Sequence, residues 1–105
     1  MTASPQFRLA YREGTRISDD VLVVYVRPNG LAVSRLGIAV PGRLGSAVRR
    51  NRVKRRVREA SRTIAGAVPA GADLVIVPRA AVVDAPFERL QESIRALFNR
   101  AAGSL

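Results

Sequence analysis

The sequence predicts a single α/β domain over residues 1–105. Its 105 residues include 48% hydrophobic residues, 8 Gly and 6 Pro, a composition that supports one hydrophobic core and excludes disordered and collagen-like chains. Short runs rich in β-branched residues and bounded by turn residues predict strands. After Ser46 the apolar period changes from two to 3.6, and another short apolar run follows. This order predicts a strand, a helix and a second strand in a βαβ unit.

The first predicted element is a short helix around Phe7 and Tyr11. Ser4 and Pro5 are typical helix-start residues, and Gly14 ends the helix because glycine favours other backbone conformations. The i, i+4 spacing of Phe7 and Tyr11 places both rings on one helix face. Such a pair is an ordinary core contact in most proteins, although an aromatic face beside basic residues can instead stack on unpaired bases.

A β-hairpin is predicted next. The run Val21–Val26 is β-branched or aromatic in all but one position and leads into the turn Arg27–Gly30. The segments Leu31–Ser34 and Leu36–Val40 supply a returning strand, which Pro41 ends by removing a backbone donor. We therefore expect the two runs to pair with each other.

A basic amphipathic helix is predicted from Ser46 onward. The Ser46 hydroxyl can accept a hydrogen bond from a free backbone N–H at the helix start, and Gly66 with Pro69 beyond it ends the helix. At 100° per residue, four apolar residues fall within about 60° of one another and predict a narrow core-facing stripe. The stripe consists of Val53, Val57, Ala60 and Ile64, and the opposite face carries Asn51, Arg55, Arg58 and Arg62.

A covered strand and a last helix complete the chain. The run Asp73–Val77, ended by Pro78, is apolar on both faces after its first residue, which indicates a strand inside the sheet. Asp84 is a suitable N-cap residue and Pro86 fits the first turn of a helix. The apolar residues that follow at helical spacing are Phe87, Leu90, Ile94, Leu97 and Phe98.

Several common kinds of catalytic site are excluded by residues that the sequence lacks. The chain has no His and no Cys, which removes the usual general base, a thiolate nucleophile, disulfides and zinc–thiolate sites. The carboxylates precede a strand, cap a helix or lie on a polar helix face, so no convergent cluster is expected. They are Asp19, Asp20, Asp84, Glu88 and Glu92. No apolar run approaches the roughly 20 residues that span a bilayer, and no signal pattern opens the chain, so we expect a cytosolic protein.

Positive charge is concentrated in one part of the chain. The sequence has 18 Lys+Arg against 8 Asp+Glu, a formal net charge of +10. Half of the positive residues lie in the window 43–62, namely Arg43, Arg49, Arg50, Arg52, Lys54, Arg55, Arg56, Arg58 and Arg62. This charge predicts a polyanionic partner, with nucleic acid as the first choice and an anionic membrane as the second. The preference for Arg suits bidentate phosphate contacts, but a GC-rich genome would produce the same bias.

An ordered pattern within the basic helix is more informative than its charge. The run Arg50-Asn51-Arg52-x-Lys54-Arg55-x-x-Arg58-Glu59, which follows the strand Arg35-Leu36-Gly37, closely resembles the protein subunit of bacterial ribonuclease P. The early aromatic pair, the strand around Tyr25 and the late strand from Asp73 extend the similarity over nearly the whole chain. The resemblance implies a two-layer α+β fold of order αβββαβα, with a central mixed sheet packed by helices. It also implies a left-handed βαβ crossover that carries the basic helix, whereas topology rules alone favour the right-handed form.

The resemblance implies that the catalyst is an RNA, which removes the 5′ leader of precursor tRNA with Mg²⁺ bound mainly by the RNA and the substrate. The protein would be the subunit of this endoribonuclease that binds the RNA and the single-stranded leader, without a catalytic residue or an assigned metal site, and monomeric when alone. The RNA-binding residues carried over by position are Arg43, Arg49, Arg50, Asn51, Arg52, Lys54, Arg55, Arg58 and Arg62. Among them, Arg50, Asn51 and Lys54 are placed nearer the leader. The leader cleft would be lined by Phe7, Tyr11 and Tyr25.

Two departures from the family pattern lie just before the basic helix. Pro41-Gly42-Arg43 stands where the family often has Ser-Lys-Lys, so one charge is missing, and Ser46 replaces the usual Asn or Lys. A structural RNA-binding protein, such as a ribosomal component, is the alternative that uses the same helix without a link to cleavage. A membrane-active helix is a distant third, because its narrow apolar stripe is needed for the core.

Overall fold

The computed structural model describes residues 5–64, 66 and 68–105. Strands and helices follow one another in the order αβββαβα, as expected. Two 3₁₀ helices, Gly42–Leu44 and Ala80–Asp84, precede α2 and α3. The helices are α1 (Pro5–Glu13), α2 (Ala47–Thr63) and α3 (Phe87–Gly103), and the strands are β1 (Thr15–Ser18), β2 (Leu22–Pro28), β3 (Arg35–Ile38) and β4 (Ala72–Pro78).

The four strands form a mixed sheet in the order β1-β2-β4-β3. β2 is antiparallel to both β1 and β4, whereas β3 and β4 are parallel. Because α2 connects β3 to β4, the predicted βαβ unit is confirmed, and the hand of its crossover stays a prediction. β4 lies between two strands and all but one of its residues are buried, so the covered strand is also confirmed.

The predicted hairpin between Val21–Val26 and the segment after it is wrong. β4 lies between β2 and β3, and the hairpin partner of β2 is β1. The chain that leaves β2 is held by residues at the start of β4 and just before it: the Asn29 N–H donates to the Gly71 carbonyl at 2.9 Å, and the Ala72 N–H donates to Ser34 Oγ at 3.1 Å. These contacts allow the strand that is apolar on both faces to take the central, covered place.

The sheet separates two layers. Alternate residues of β2 and β4, such as Val24 and Ile76, point into a core shared with α2 and α3. The predicted α2 stripe is confirmed, because each of its members is at most 6% exposed. They are Val53, Val57, Ala60 and Ile64. α1 packs against β2 and β4 on the other face of the sheet.

Local hydrogen bonds mark the end of α1 and the start of α2. Ser46 is the N-cap of α2, and its hydroxyl accepts a hydrogen bond from the Arg49 N–H at 3.2 Å, as predicted. α1 ends before Gly14, whose N–H donates to the Ala10 carbonyl at 3.0 Å. A Cβ at Gly14 would lie 2.4 Å from the Ala10 oxygen and 2.7 Å from the Val26 oxygen. Only glycine therefore allows α1 to approach β2 this closely.

The predicted N-cap at Asp84 is wrong. Asp84 closes the 3₁₀ helix, and α3 begins at Phe87 with Pro86 as an N-cap residue that makes no side-chain capping bond. Ala85 is extended, with ψ of 136°, because a residue before proline is kept out of the helical region. The proline therefore moves the helix start beyond the reach of the aspartate.

Candidate nucleic-acid interface

The basic residues of α2 lie on two flanks of the helix rather than on one face. Relative to buried Val53, successive residues rotate by 100°, so Arg50 and Lys54 fall about 60° and 100° to one side, whereas Arg49 and Arg52 fall about 40° and 100° to the other. We call the first side the strand-side flank, since it faces β3. It comprises Arg50, Asn51, Lys54, Arg55, Arg58 and Arg62. The second, the far flank, faces the 3₁₀ helix Ala80–Asp84 and comprises Arg49, Arg52 and Arg56.

The strand-side flank and the end of β3 enclose a pocket of about 140 Å³. Its polar wall consists of Arg50, Asn51 and Lys54, and its other wall runs over Ile38–Val40. A groove of about 390 Å³ continues along Asn51, Lys54, Arg55 and Arg58. In the described part of the chain, the Arg50 Nε is one of two buried side-chain nitrogen or oxygen atoms without a hydrogen-bond partner. A buried cationic donor without a partner favours an anion at this place.

Two tyrosines pack edge to face on the other side of the sheet from the α2 core. The ring centroids of Tyr11 and Tyr25 are 4.9 Å apart and the ring planes are inclined by 67°. Burial, together with the neighbouring Tyr25, raises the pKa of Tyr11 above the ordinary tyrosine value of 10.0. Tyr11 therefore keeps its hydroxyl proton at neutral pH. Phe7 lies in α1, but its side chain is outside the described residues, so its place in the cleft stays a prediction.

Strand register connects the tyrosines to the pocket. Tyr25 pairs with Val75 across β2 and β4, and Val75 pairs with Gly37 across β4 and β3. Paired residues share a sheet face, and alternate residues of a strand return to that face. Ala39 continues the ladder, since its N–H donates to the Ile76 carbonyl at 2.9 Å, and it therefore lies on the same face as Tyr25. Tyr25 and Gly37 are separated by two strand spacings, about 10 Å, and Ala39 in the pocket wall lies two residues, about 7 Å, farther along the chain.

A buried carboxylate fixes the opposite end of this face. Asp73 is 0% exposed and accepts two hydrogen bonds from Arg35, from Nε at 2.7 Å and from Nη2 at 2.9 Å. The Asn29 amide donates a third, at 3.1 Å. Burial alone would raise the pKa of Asp73, but these bonds and the charges of Arg35 and Arg27 outweigh it and lower the pKa below the ordinary aspartate value of 3.8. Asp73 is therefore an anion that ties β4 to β3.

The sequence indicates the α2 residues but does not indicate three others. Arg35 stands out only as part of a motif, although its side chain, 39% exposed, lies at the edge of the cleft face. Ala39 and Val40, which line the pocket, carry no chemical signal. Arg56 has a packing contact instead of an outward position, since its guanidinium donates to the carbonyls of Val82, at 3.1 Å, and Ala85.

Arg43 is the predicted RNA-binding residue that lies outside α2. Arg43 is exposed on the 3₁₀ helix Gly42–Leu44, before α2. Among the described residues, no group of three or more His, Cys, Asp or Glu side chains is arranged to hold a metal ion. Within the same residues, no helix is both long and apolar enough to cross a bilayer.

Comparison with known proteins identifies the family of the chain. The sequence model of one protein family, described as Ribonuclease P, matches residues 1–102. The chain belongs to the ribonuclease P protein family. It is 40% identical over 102 residues to the ribonuclease P protein component of Thermotoga sp. strain RQ2, covering 92% of this chain and 86% of that protein. It is 42% identical over 97 residues to the component of Chloroflexus aurantiacus, covering 91% and 72%.

Solved ribonuclease P proteins have the same fold. The protein from Thermotoga maritima matches with a TM-score of 0.84 and 37% identity, covering 91% of each chain. The protein from Staphylococcus aureus matches with a TM-score of 0.81 and 27% identity, covering 96% of this chain and 93% of that one. The resemblance found in the sequence is thus confirmed. The chain is the protein subunit of ribonuclease P, a ribonucleoprotein endoribonuclease of tRNA processing, and its partner is the ribonuclease P RNA.

Proposed function

We propose that this subunit binds the catalytic RNA through the exposed basic residues of α2 and receives the 5′ leader of precursor tRNA on the sheet face beside α1. The leader would cross from the pocket at Arg50, Asn51 and Lys54 to the pair Tyr11 and Tyr25. Cleavage would be carried out by the RNA, with Mg²⁺ held mainly by the RNA and the substrate. The proposal includes a cytoplasmic location, since the RNA partners are intracellular. It also includes a protein that is monomeric when alone.

One observation carries the proposal: strand register puts Ala39, in the wall of the basic pocket, on the same sheet face as Tyr25 of the aromatic pair. Tyr25, Val75 and Gly37 form one row across the sheet, and Ala39 lies two residues beyond Gly37 on the same face. Single-stranded RNA is bound by this combination, in which cations meet phosphates and rings stack on bases. A duplex cannot offer its bases to the tyrosines. An unpaired leader can.

The exposed charge of α2 supports the second part of the proposal. Arg49, Arg52, Arg55, Arg58 and Arg62 are all exposed. Only Arg62 of this group has an acidic partner among the described residues, Glu59 at 3.5 Å, and such an exposed pair contributes little. The charge is therefore available to phosphates. A ribosomal role is not favoured, because the family is ribonuclease P.

The first experiment is cleavage of a leader-bearing precursor tRNA by ribonuclease P RNA at low Mg²⁺, with and without this protein. We expect activation only when RNA and protein are combined, and no cleavage by the protein alone. RNA binding without activation would contradict the function.

The leader site is tested separately with Tyr11→Ala in the holoenzyme. Loss of one aromatic contact should weaken binding of precursor tRNA by about fivefold to a hundredfold, while the affinity for mature tRNA stays unchanged. Arg95→Ala, at an exposed position of α3, serves as the matched control. Equal affinity of the wild-type holoenzyme for precursor and mature tRNA would rule out the leader role.

A further inference from the structure

The far flank of α2 borders a second pocket, separate from the leader face. This pocket measures about 180 Å³ and lies between the first half of α2 and the 3₁₀ helix Ala80–Asp84. Val48 and Val83 form its apolar part, and Arg49 and Arg52 form its basic part. In contrast to the strand-side pocket, it shares no lining residue with β3.

The apolar part of the pocket is unusually open to solvent. Val48 is 72% exposed, the largest exposure among the large hydrophobic side chains that the structure describes as exposed. It lies about 140° around α2 from buried Val53, so packing within the chain does not account for it. Val83 is partly buried against the core. Val48 and Val83 give the rim of the basic pocket a flat apolar surface. A phosphate has no apolar group to pack against it.

Internal contacts hold the walls of this pocket in place. The Arg56 guanidinium donates to the Val82 and Ala85 carbonyls on either side of Val83 and so ties the 3₁₀ helix to α2. Gly45 has φ of +128°, and a Cβ there would lie 2.7 Å from the Arg49 Cδ. The missing side chain leaves room for the stem of Arg49 to lie against the loop. The pocket is therefore preorganised before any ligand binds.

The chemistry of the lining residues selects the ligand. Among the described residues, those that line the pocket include three arginines and no carboxylate, so an anionic partner is favoured. Duplex RNA presents phosphates and sugars to a helix flank, whereas an unpaired nucleotide also presents the apolar face of its base. A site with both arginines and exposed valines matches the unpaired nucleotide.

We propose that the far-flank pocket holds an unpaired nucleotide of the catalytic RNA, with its base against Val48 and Val83 and its phosphate at Arg49 and Arg52. This inference rests on the proposed binding of the catalytic RNA by α2. It adds a second contact region for the ribozyme: the leader is received at Arg50, Asn51 and Lys54 of the strand-side flank, whereas the far flank contacts the ribozyme, as do the exposed arginines farther along the helix. The helix would thereby set the distance between substrate and catalyst.

Site-specific crosslinking in the holoenzyme tests the assignment. The chain has no Cys, so Val48→Cys and Ala39→Cys each create a single attachment point for a photoreactive group. Val48→Cys should crosslink to the catalytic RNA at an unpaired nucleotide, and Ala39→Cys should crosslink to the leader. Crosslinks from position 48 to the leader, to paired nucleotides only, or to no RNA in an assembled holoenzyme would overturn the inference, whereas the leader crosslink tests the proposed function independently.

An affinity measurement supplies the second test. Val48→Ala should bind the ribonuclease P RNA about threefold to tenfold more weakly, as expected for two methyl groups lost from a partly desolvated contact. Val33→Ala, 66% exposed in the wild type and outside the pocket, should bind like wild type. Preference for precursor over mature tRNA should be unchanged in Val48→Ala. Wild-type affinity of Val48→Ala, or loss of that preference, would overturn the assignment.

Discussion

The substitution Asp73→Asn isolates the electrostatic tie between β4 and β3. The asparagine keeps the size of the side chain but removes the charge that accepts two hydrogen bonds from Arg35 and one from Asn29. Hydrogen bonds to a charged group contribute about 1.5–3 kcal/mol each. The amide retains part of this bonding, and solvent screens Arg35, which is 39% exposed. We therefore expect a loss of about 2–3 kcal/mol in the free energy of unfolding at pH 7.

Urea unfolding measures this loss. With a slope of about 1 kcal/mol/M for a protein of this size, the midpoint should fall by about 2–3 M. Asp84→Asn is the matched control, because Asp84 is exposed and the same change of charge there should alter the midpoint little.

The pH dependence gives the sharper test. Because the native pKa of Asp73 is lowered from 3.8, the carboxylate contributes stability that is fully present above pH 3.8 and is lost as the pH falls through the native pKa. The difference between wild type and Asp73→Asn should therefore shrink below about pH 4. A difference that stays constant between pH 7 and pH 3, or one below about 0.5 kcal/mol at pH 7, would refute this account of the ion pair.

Two further substitutions separate RNA contact from packing within α2. Arg58→Ala, at an exposed position, should weaken binding of the catalytic RNA and lower the slope of log affinity against log salt by about 1, with stability unchanged; an unaltered slope would show that Arg58 meets no phosphate. Arg56→Ala removes the bonds to the Val82 and Ala85 carbonyls and should lower the free energy of unfolding by about 1–3 kcal/mol, seen as a lower urea midpoint. A stability equal to wild type would contradict the packing role of Arg56.

The sequence predicted an element correctly where residues close to it in the chain determine its structure. The Ser46 cap and the buried stripe of α2 follow from spacing and hydrogen bonding within a few residues. The hairpin failed because strand pairing is decided far along the chain: Tyr25 pairs with Val75, fifty residues away. The turn residues between β2 and β3 do not indicate that β4 lies between these two strands in the sheet.

The candidate site shows the same division. Charge and helical spacing identified the basic residues of α2, and the aromatic residues stood out as rare. The sequence could not show that Asp73 and Arg35, 38 residues apart, form an ion pair. It also grouped Arg56 with its neighbours in one charged window, although its bonds to backbone carbonyls are visible only in the structure.

The central position of β4 has a consequence for synthesis of the chain. Two of the three strand pairings, β2 with β4 and β3 with β4, require residues 72–78. Until this segment leaves the ribosome, the nascent chain has only the β1–β2 hairpin, which is marginal alone. The basic helix is made earlier but has no closed sheet on which to pack its apolar stripe. The basic helix α2 is therefore synthesised before β4, the strand that completes the sheet. A product truncated before residue 72 would attract RNA through its charge but would lack the folded surface that selects the RNA.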